Sequence, residues 1–519
     1  MAPTRADGRA TRRQDRRAVG LVGVVALVSH VATWAAGVSI PATVLGPGEP
    51  GLDYQSWHLL PLDLLHHDLG QSLLHLDSQP PLFNLATAVL YRLPMHLFWA
   101  RLGMVAFATS LALAACGLLV ELGIGRRVSV GVVIVFVVLD PAQLLYPTWY
   151  FYGLPTAAVL TFAAWAATRW VRTRRLLPGI VFWWLVALVV LTNSAFQIYG
   201  FLIAAVPLLV VLRRQWRSVL VAALPPLLVV GAWYANDAVQ FGTFTTSSWT
   251  GMNMARITTG LDTRADLTQL VDQHVLTPLA LVRPFYPLGA YGALGHAPPT
   301  GIPALDVPTK LVTPNLNNIA YVAISKQFLT NDLHWVEHRP RLYAEHITEG
   351  IRIWLLPADQ TPAVASLPVW PLHGWTGFYD HWVMLQTRPD PGADRAAVFG
   401  DIAPTLANVS WTLVVQQVLA LVVLPVVAWR HRRRDPARAA AAGWIWIVTG
   451  VLTLTTSLLE VGENNRFRFE LGALPLVGAV VAVAWLVEGL RGHRPGRTGA
   501  EPVPARAGST GPELTRTGA

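Results

Sequence analysis

Apolar runs of about 20 residues recur along the chain, and a helix of that length crosses roughly 30 Å of hydrocarbon. The pattern predicts ten spanning helices, at 18–40, 95–121, 128–146, 152–171, 176–193, 195–212, 218–236, 409–429, 442–460 and 470–490. The chain thus divides into a basic tail (1–17), an N-terminal transmembrane module (18–236), a polar, proline-rich segment (237–408), a C-terminal transmembrane module (409–490) and a terminal tail (491–519). The terminal tail is rich in Pro, Gly, Ala and Thr and reads as disordered. The expected fold class is an all-α polytopic membrane protein.

Two polar stretches carry a helical period of their own. In "PLDLLHHDLGQSLLHL" (61–76), Leu62, Leu65, Leu69, Leu73 and Leu76 share one face, which predicts an amphipathic helix on the membrane surface, begun by Pro61. "HRPRLYAEHITEGIRIWLLP" (338–357) predicts another, with Leu342, Ile347, Ile351 and Trp354 on its apolar side.

Charge sets the sidedness. With the N-terminal tail in the cytoplasm, "GRR" (125–127), "RWVRTRR" (169–175), "RRQWR" (213–217) and "RHRRRDPAR" (430–438) all fall inside, as the positive-inside rule requires. That puts the first outer loop (41–94) and the 237–408 segment on the extracytoplasmic face of a multi-pass cell-membrane protein. The first run has the basic flank of a signal peptide but is longer than a usual signal h-region.

Composition agrees: 53% of residues are hydrophobic and 13% charged. The net charge of +9 does not mark a nucleic-acid surface, because the arginines sit in the tail and in short loops rather than along one groove. Lys310 and Lys326 are the only lysines, and with abundant Ala and Val this reads as the codon bias of a high-GC bacterial genome. The lone cysteine, Cys116, excludes a disulfide within the chain.

Chemistry-bearing residues gather near the predicted outer ends of the spans. "DSQPP" (77–81) reads as a helix start, with Asp77 or Ser78 as N-cap and proline in the first turn, at a spot that also favours an anionic lipid group. His58, His66, His67 and His75 form no ligand set of recognised spacing, so no metal is expected. "ENNRFRFELGALP" (463–475) sets Arg466 and Arg468 on the outer side, against the charge trend. Two readings stand for that pair: neutralisation by Glu460, Glu463 and Glu470, or a guanidinium grip on a lipid-linked phosphate. "NDAVQFGTFTTSSWTGMNMAR" (236–256) has the polar and aromatic make-up of a sugar-binding surface or of a packed loop.

The order "GLDYQSW", amphipathic loop, "QPPLFN", and then a late "ENNRFRFELGALP" resembles polyprenyl-phosphate-dependent GT-C glycosyltransferases, in particular the family-39-like branch that includes protein O-mannosyltransferases. The resemblance covers about 18–490, with 237–408 matched only weakly. It implies a GT-C-like bundle of about ten transmembrane helices. It also implies transfer of a sugar from a polyprenyl-phosphate donor to a glycan, lipid or protein hydroxyl, with inversion and without a cofactor. Asp53 carries over as general base and Asp77 as the second catalytic acid; Gln79, Asp140, Glu463, Asn465, Arg466 and Arg468 carry over as substrate-binding residues. The chain has "LDYQ" where many members have paired acids, and "FYGLPTAA" (151–158) where many keep an acidic residue before the proline. A non-catalytic GT-C-like scaffold that binds lipid is the alternative. A transporter fits less well, because the predicted span centres carry almost no charge.

Overall fold

The structure, a computed structural model, describes residues 5–37, 58–310, 313–361, 372–386 and 409–492. Apart from a two-residue antiparallel ladder, Thr309–Lys310 with Thr313–Pro314, the regular structure is helical. Among the described residues, six helical stretches are long and apolar enough to cross a membrane: Gln14–Ala35, His96–Glu121, Ile198–Phe241, Trp411–His431, Pro436–Leu459 and Leu474–Arg491. A seventh arises if Arg126–Val138 and Pro141–Thr148, bent by 62° at Asp140, count as one broken span. The chain is therefore an all-α, multi-pass membrane protein.

Besides this break in the span expected at 128–146, four more of the ten expected spans are changed in character. Gly153–Thr173 is a full-length helix but is not among those apolar enough, and Leu176–Val190 has only 15 residues, about 22 Å of helix. The runs expected at 195–212 and 218–236 join into 44 residues of continuous helix with a 3₁₀ turn at Arg213–Gln215. Its first part packs on Pro436–Leu459 and its second on Leu176–Val190.

Small side chains let the first helices approach closely. His96–Glu121 and Gly153–Thr173 meet through buried alanines, Ala108, Ala112 and Ala115 on one and Ala157, Ala164 and Ala167 on the other. In lipid, where burial of apolar surface gains little, such packing carries helix association. One end of the bundle gathers the arginines: Arg172 pairs with Glu121 at 2.7 Å, Arg126 with Asp15 at 3.4 Å, and Arg174 donates to the Val211 carbonyl at 3.0 Å.

The opposite end carries a cap. Thr250–Ile257 packs on Ala320–His338, and Pro340–Trp354 lies against Pro436–Leu459 and Asn464–Glu470. The expected amphipathic helix 338–357 is present as Pro340–Trp354, with Ile353 and Trp354 buried and Ile351 exposed. The expected single helix 61–76 is instead two short ones, Leu62–His67 and Leu69–Leu74, broken at Asp68 (φ −135°, ψ 46°). Its leucine stripe is not turned to lipid: Leu62, Leu65 and Leu76 are buried with Ala88 and Trp233. The stripe was legible in sequence, but period alone does not distinguish a protein partner from a bilayer.

Candidate functional site

Neither Asp77 nor Ser78 caps the helix that follows. Pro81–Tyr91 has Pro80 at its N-cap position and no side-chain cap, because the polar groups of "DSQ" are engaged elsewhere. The Asn317 Oδ1 accepts the backbone N–H groups of Asp77 (2.9 Å) and Ser78 (3.1 Å). Ser248 N–H donates to the Asp77 carbonyl at 2.8 Å and the Ser247 hydroxyl to the Ser78 carbonyl at 2.6 Å. The stretch is thus clamped from both sides by the cap. Gln79 is buried and accepts from the Ser194 hydroxyl at 3.3 Å.

The Asp77 carboxyl is 2% exposed. Ser248 Oγ donates to its Oδ2 at 2.7 Å, while Oδ1 is buried without a hydrogen-bond partner. Burial pushes this carboxyl up to about 7, against the opposing Ser248 hydrogen bond. A carboxyl balanced between its two protonation states near neutral pH can give or take a proton at little cost. Asp237 lies within electrostatic reach of it.

Arg466 heads a second group, built on the short helix Asn464–Glu470. Its Nη1 donates to Glu470 Oε1 at 2.9 Å and its Nη2 to Glu463 Oε2 at 2.8 Å, and its guanidinium sits 5.0 Å from the Phe151 ring centre and 4.4 Å from that of Phe467. Asn193 Nδ2 donates to the other Glu470 oxygen at 2.8 Å. Arg256 from the cap pairs with Glu460 at 2.6 Å and approaches Glu463 at 4.0 Å. Against the upward push of burial, Arg466 and Arg256 hold Glu463 down to about 2, whereas burial raises Glu460 and Glu470 to about 7. Arg466 is therefore neutralised by two carboxylates within its own helical segment. Asn465 serves the frame, accepting from the Thr361 hydroxyl at 3.0 Å and donating to the Pro357 carbonyl at 3.0 Å.

The helix can stop and reverse here because of Gly472. Its φ is +59°, and an added Cβ would lie 2.4 Å from the Ala157 carbonyl oxygen, so only glycine permits the turn into Leu474–Gly492 against Gly153–Thr173.

Arg468 points to a third place. It donates from Nε to the Trp354 carbonyl (2.8 Å) and from Nη2 to the Leu356 carbonyl (2.9 Å), with no carboxylate within ion-pair distance among the described residues. It lines a small pocket of about 50 Å³ together with Asp140 and Gln143. Asp140 caps Pro141–Leu145 by accepting the Ala142 N–H at 2.9 Å, and Gln143 Oε1 is buried without a hydrogen-bond partner. Leu111, Phe136, Leu413 and Leu476 add apolar side chains to its lining, and Thr412 and Gln416 further polar ones.

A wall of rings links the first two groups. The His58 ring lies 5.4 Å from Trp249, the neighbour of Ser248, and 5.3 and 5.2 Å from Phe151 and Tyr152. Burial, with Arg466 nearby, drives His58 down to about 3, so it is neutral. The other three histidines lie elsewhere, and no group of three or more possible metal ligands exists among the described residues. Asp53 lies outside the described residues.

The sequence thus placed most of these residues at one end, and the structure sorts them into three groups: Asp77 with Gln79, Glu463 with Asn465 and Arg466, and Asp140 with Arg468. Four contributors were missed. Arg256 and Ser248 fall in the 236–256 stretch whose composition drew attention, and Asn193 is the polar residue that ends an apolar run. Asp380, which burial and then Asp359 push up to about 9, carries no motif at all. No protein-family model, no curated protein and no solved structure matches the chain.

Proposed function

We propose that the chain is a membrane glycosyltransferase of the GT-C kind, moving a sugar from a polyprenyl-phosphate donor to an acceptor hydroxyl on the extracytoplasmic face. The observation that carries this reading is the pocket of Arg468, Asp140 and Gln143. Its lining sets apolar side chains beside a guanidinium, the chemistry an isoprenoid phosphate needs, and the cavity of about 50 Å³ has to widen to admit one. Arg466, held by Glu463 and Glu470, does not serve as the phosphate grip; Arg468 does.

In the reaction the acceptor oxygen attacks the anomeric carbon from the side opposite the phosphate. A new carbon–oxygen bond forms, the bond from the anomeric carbon to the phosphate oxygen breaks, and its electron pair leaves with the polyprenyl phosphate. The configuration inverts. The acceptor proton passes to a carboxylate, a step worth about 10²–10⁴-fold in rate. Asp53 takes this role by the resemblance, and Asp77 is the second acid–base group, its raised protonation midpoint suiting proton exchange near neutral pH. Arg468 stabilises the departing phosphate charge. The reaction as written uses no metal.

Neutralisation of Arg466 favours one competing reading, a lipid-binding scaffold without turnover. Transfer from radiolabelled polyprenyl-phosphate sugar, measured in proteoliposomes for the wild type, Asp53→Asn and Asp77→Asn, separates the two. Loss of about 10² or more in either variant, with donor binding kept, supports the transferase. Donor binding without wild-type turnover selects the scaffold.

A further inference from the structure

The cap carries an unusual surface. From Pro284 to Leu305, between Arg283 and Asp306, the chain has no Asp, Glu, Lys or Arg. Most of 286–299 is exposed, including Tyr286 (45%) and Leu294 (39%). Nor does the segment hang loose. The Tyr291 hydroxyl accepts the Tyr286 N–H at 2.8 Å and donates to the Arg283 carbonyl at 3.0 Å, while its ring packs with Tyr321 and Phe328. The apolar residues are therefore held on display.

Beside them runs a shallow groove formed by Leu294, His296 and Pro298 on one side and Val322, Ala323 and Lys326 on the other. The groove adjoins the end of a candidate span. Lys326 Nζ donates to the carbonyl of Phe241, the last residue of Trp216–Phe241, at 2.8 Å, and Phe241, Leu305 and Val322 form one apolar cluster. Around that helix end Val239 is 86% and Phe244 64% exposed, so the apolar surface of the span runs on into the groove. Along Ala320–His338 the exposed residues are Ala323, Lys326, Thr330, Leu333, His334, Glu337 and His338, with the charged and imidazole side chains concentrated toward the far end. An apolar span surface that continues into a groove edged by a lysine is what a surface at the lipid–water boundary presents.

We infer that segment 284–299 and the facing side of Ala320–His338 are seated in the lipid leaflet at the cap end of the bundle, so that the cap is partly embedded rather than standing clear in water. Lys326 and His296 then lie at headgroup level, where an extended cationic side chain reaches lipid phosphate. The inference rests on the membrane topology alone and holds whether or not the chain transfers sugar.

The test uses full-length protein with Cys116→Ala, which leaves no native thiol. Single cysteines at Leu294 and Ala297 carry an environment-sensitive fluorophore, in proteoliposomes of phosphatidylcholine and phosphatidylglycerol. Val229→Cys, on the exposed side of a candidate span, is the lipid standard, and Arg341→Cys, on the cap surface, is the water standard. Labels at Leu294 and Ala297 are expected to emit to the blue of the Arg341 label and to be quenched by brominated acyl chains as strongly as the Val229 label. Quenching by iodide to the extent seen at Arg341, with no response to brominated lipid, overturns the inference. So does protection from both quenchers, which would mean that protein covers the groove.

Discussion

Arg466 and Glu470 meet at 2.9 Å with both side chains at 4% exposure or less, one helical turn apart at the cap end of the bundle. A guanidinium taken that far from water must be paired, and a second carboxylate, Glu463, holds its other nitrogen at 2.8 Å. The pair therefore ties the short helix to itself at the end of the bundle. Of the two arginines, Arg466 is held by carboxylates through both Nη atoms, and Arg468 lines a pocket.

Removing one partner of such a pair strands the other. Arg466→Ala leaves Glu463 and Glu470 facing each other and is expected to cost about 3–5 kcal/mol, read as a lowered denaturation midpoint in detergent. Arg466→Lys keeps the charge but cannot hold both carboxylates at once, and falls between the variant and the wild type.

Asp77 makes stability depend on pH. Its carboxyl titrates near 7 in the folded chain and near 3.8 when unfolded, so the folded state holds the extra proton between those values. The contribution is complete below the unfolded value and is lost as pH rises through the folded one. Glu460 and Glu470, also raised, act in the same direction. Melting temperature is expected to fall as pH rises across this window, and Asp77→Asn to fall less steeply, the two curves separating most above the folded value.

Ser248 steadies the charged form of Asp77 through its 2.7 Å hydrogen bond. Ser248→Ala removes that support and raises the carboxyl further. If Asp77 acts as a base in transfer, the acidic limb of the rate profile moves to higher pH, and Ser248→Thr, which keeps the hydroxyl, restores it. An unmoved limb would leave Asp77 a structural group.

The cap depends on one close contact. A Cβ at Gly251 would lie 1.9 Å from the Ser325 carbonyl oxygen and 2.6 Å from the Leu329 nitrogen, both backbone atoms. Gly251→Ala must push Thr250–Ile257 off Ala320–His338, at a cost of at least the roughly 1–3 kcal/mol of overpacking. Limited proteolysis should then cut the cap while the bundle stays intact.

These residues also show what was legible beforehand. Apolar runs gave most helices near their observed ends, because a span's length and composition are local properties. The break at Asp140 escaped notice, since apolar residues continue on both sides of it. The stripe at 61–76 was correctly spaced, but its partner proved to be Ala88 and Trp233. "DSQPP" was misread as a cap because its true partners, Ser248 and Asn317, lie 171 and 240 residues further along. Side-chain partnership over such separations leaves no periodic trace.

The central claim is that Arg468 holds the phosphate of a lipid-linked sugar whose glycosyl group is then transferred. The most direct measurement is transfer from polyprenyl-phosphate sugar by proteoliposomes of the wild type and of Arg468→Gln, with donor binding followed in the same preparations. The account predicts wild-type turnover, and for Arg468→Gln a loss of both binding and transfer in a variant that still folds, with a melting temperature lowered by the loss of the Trp354 and Leu356 carbonyl hydrogen bonds. Equal binding and equal transfer by the folded variant would contradict it.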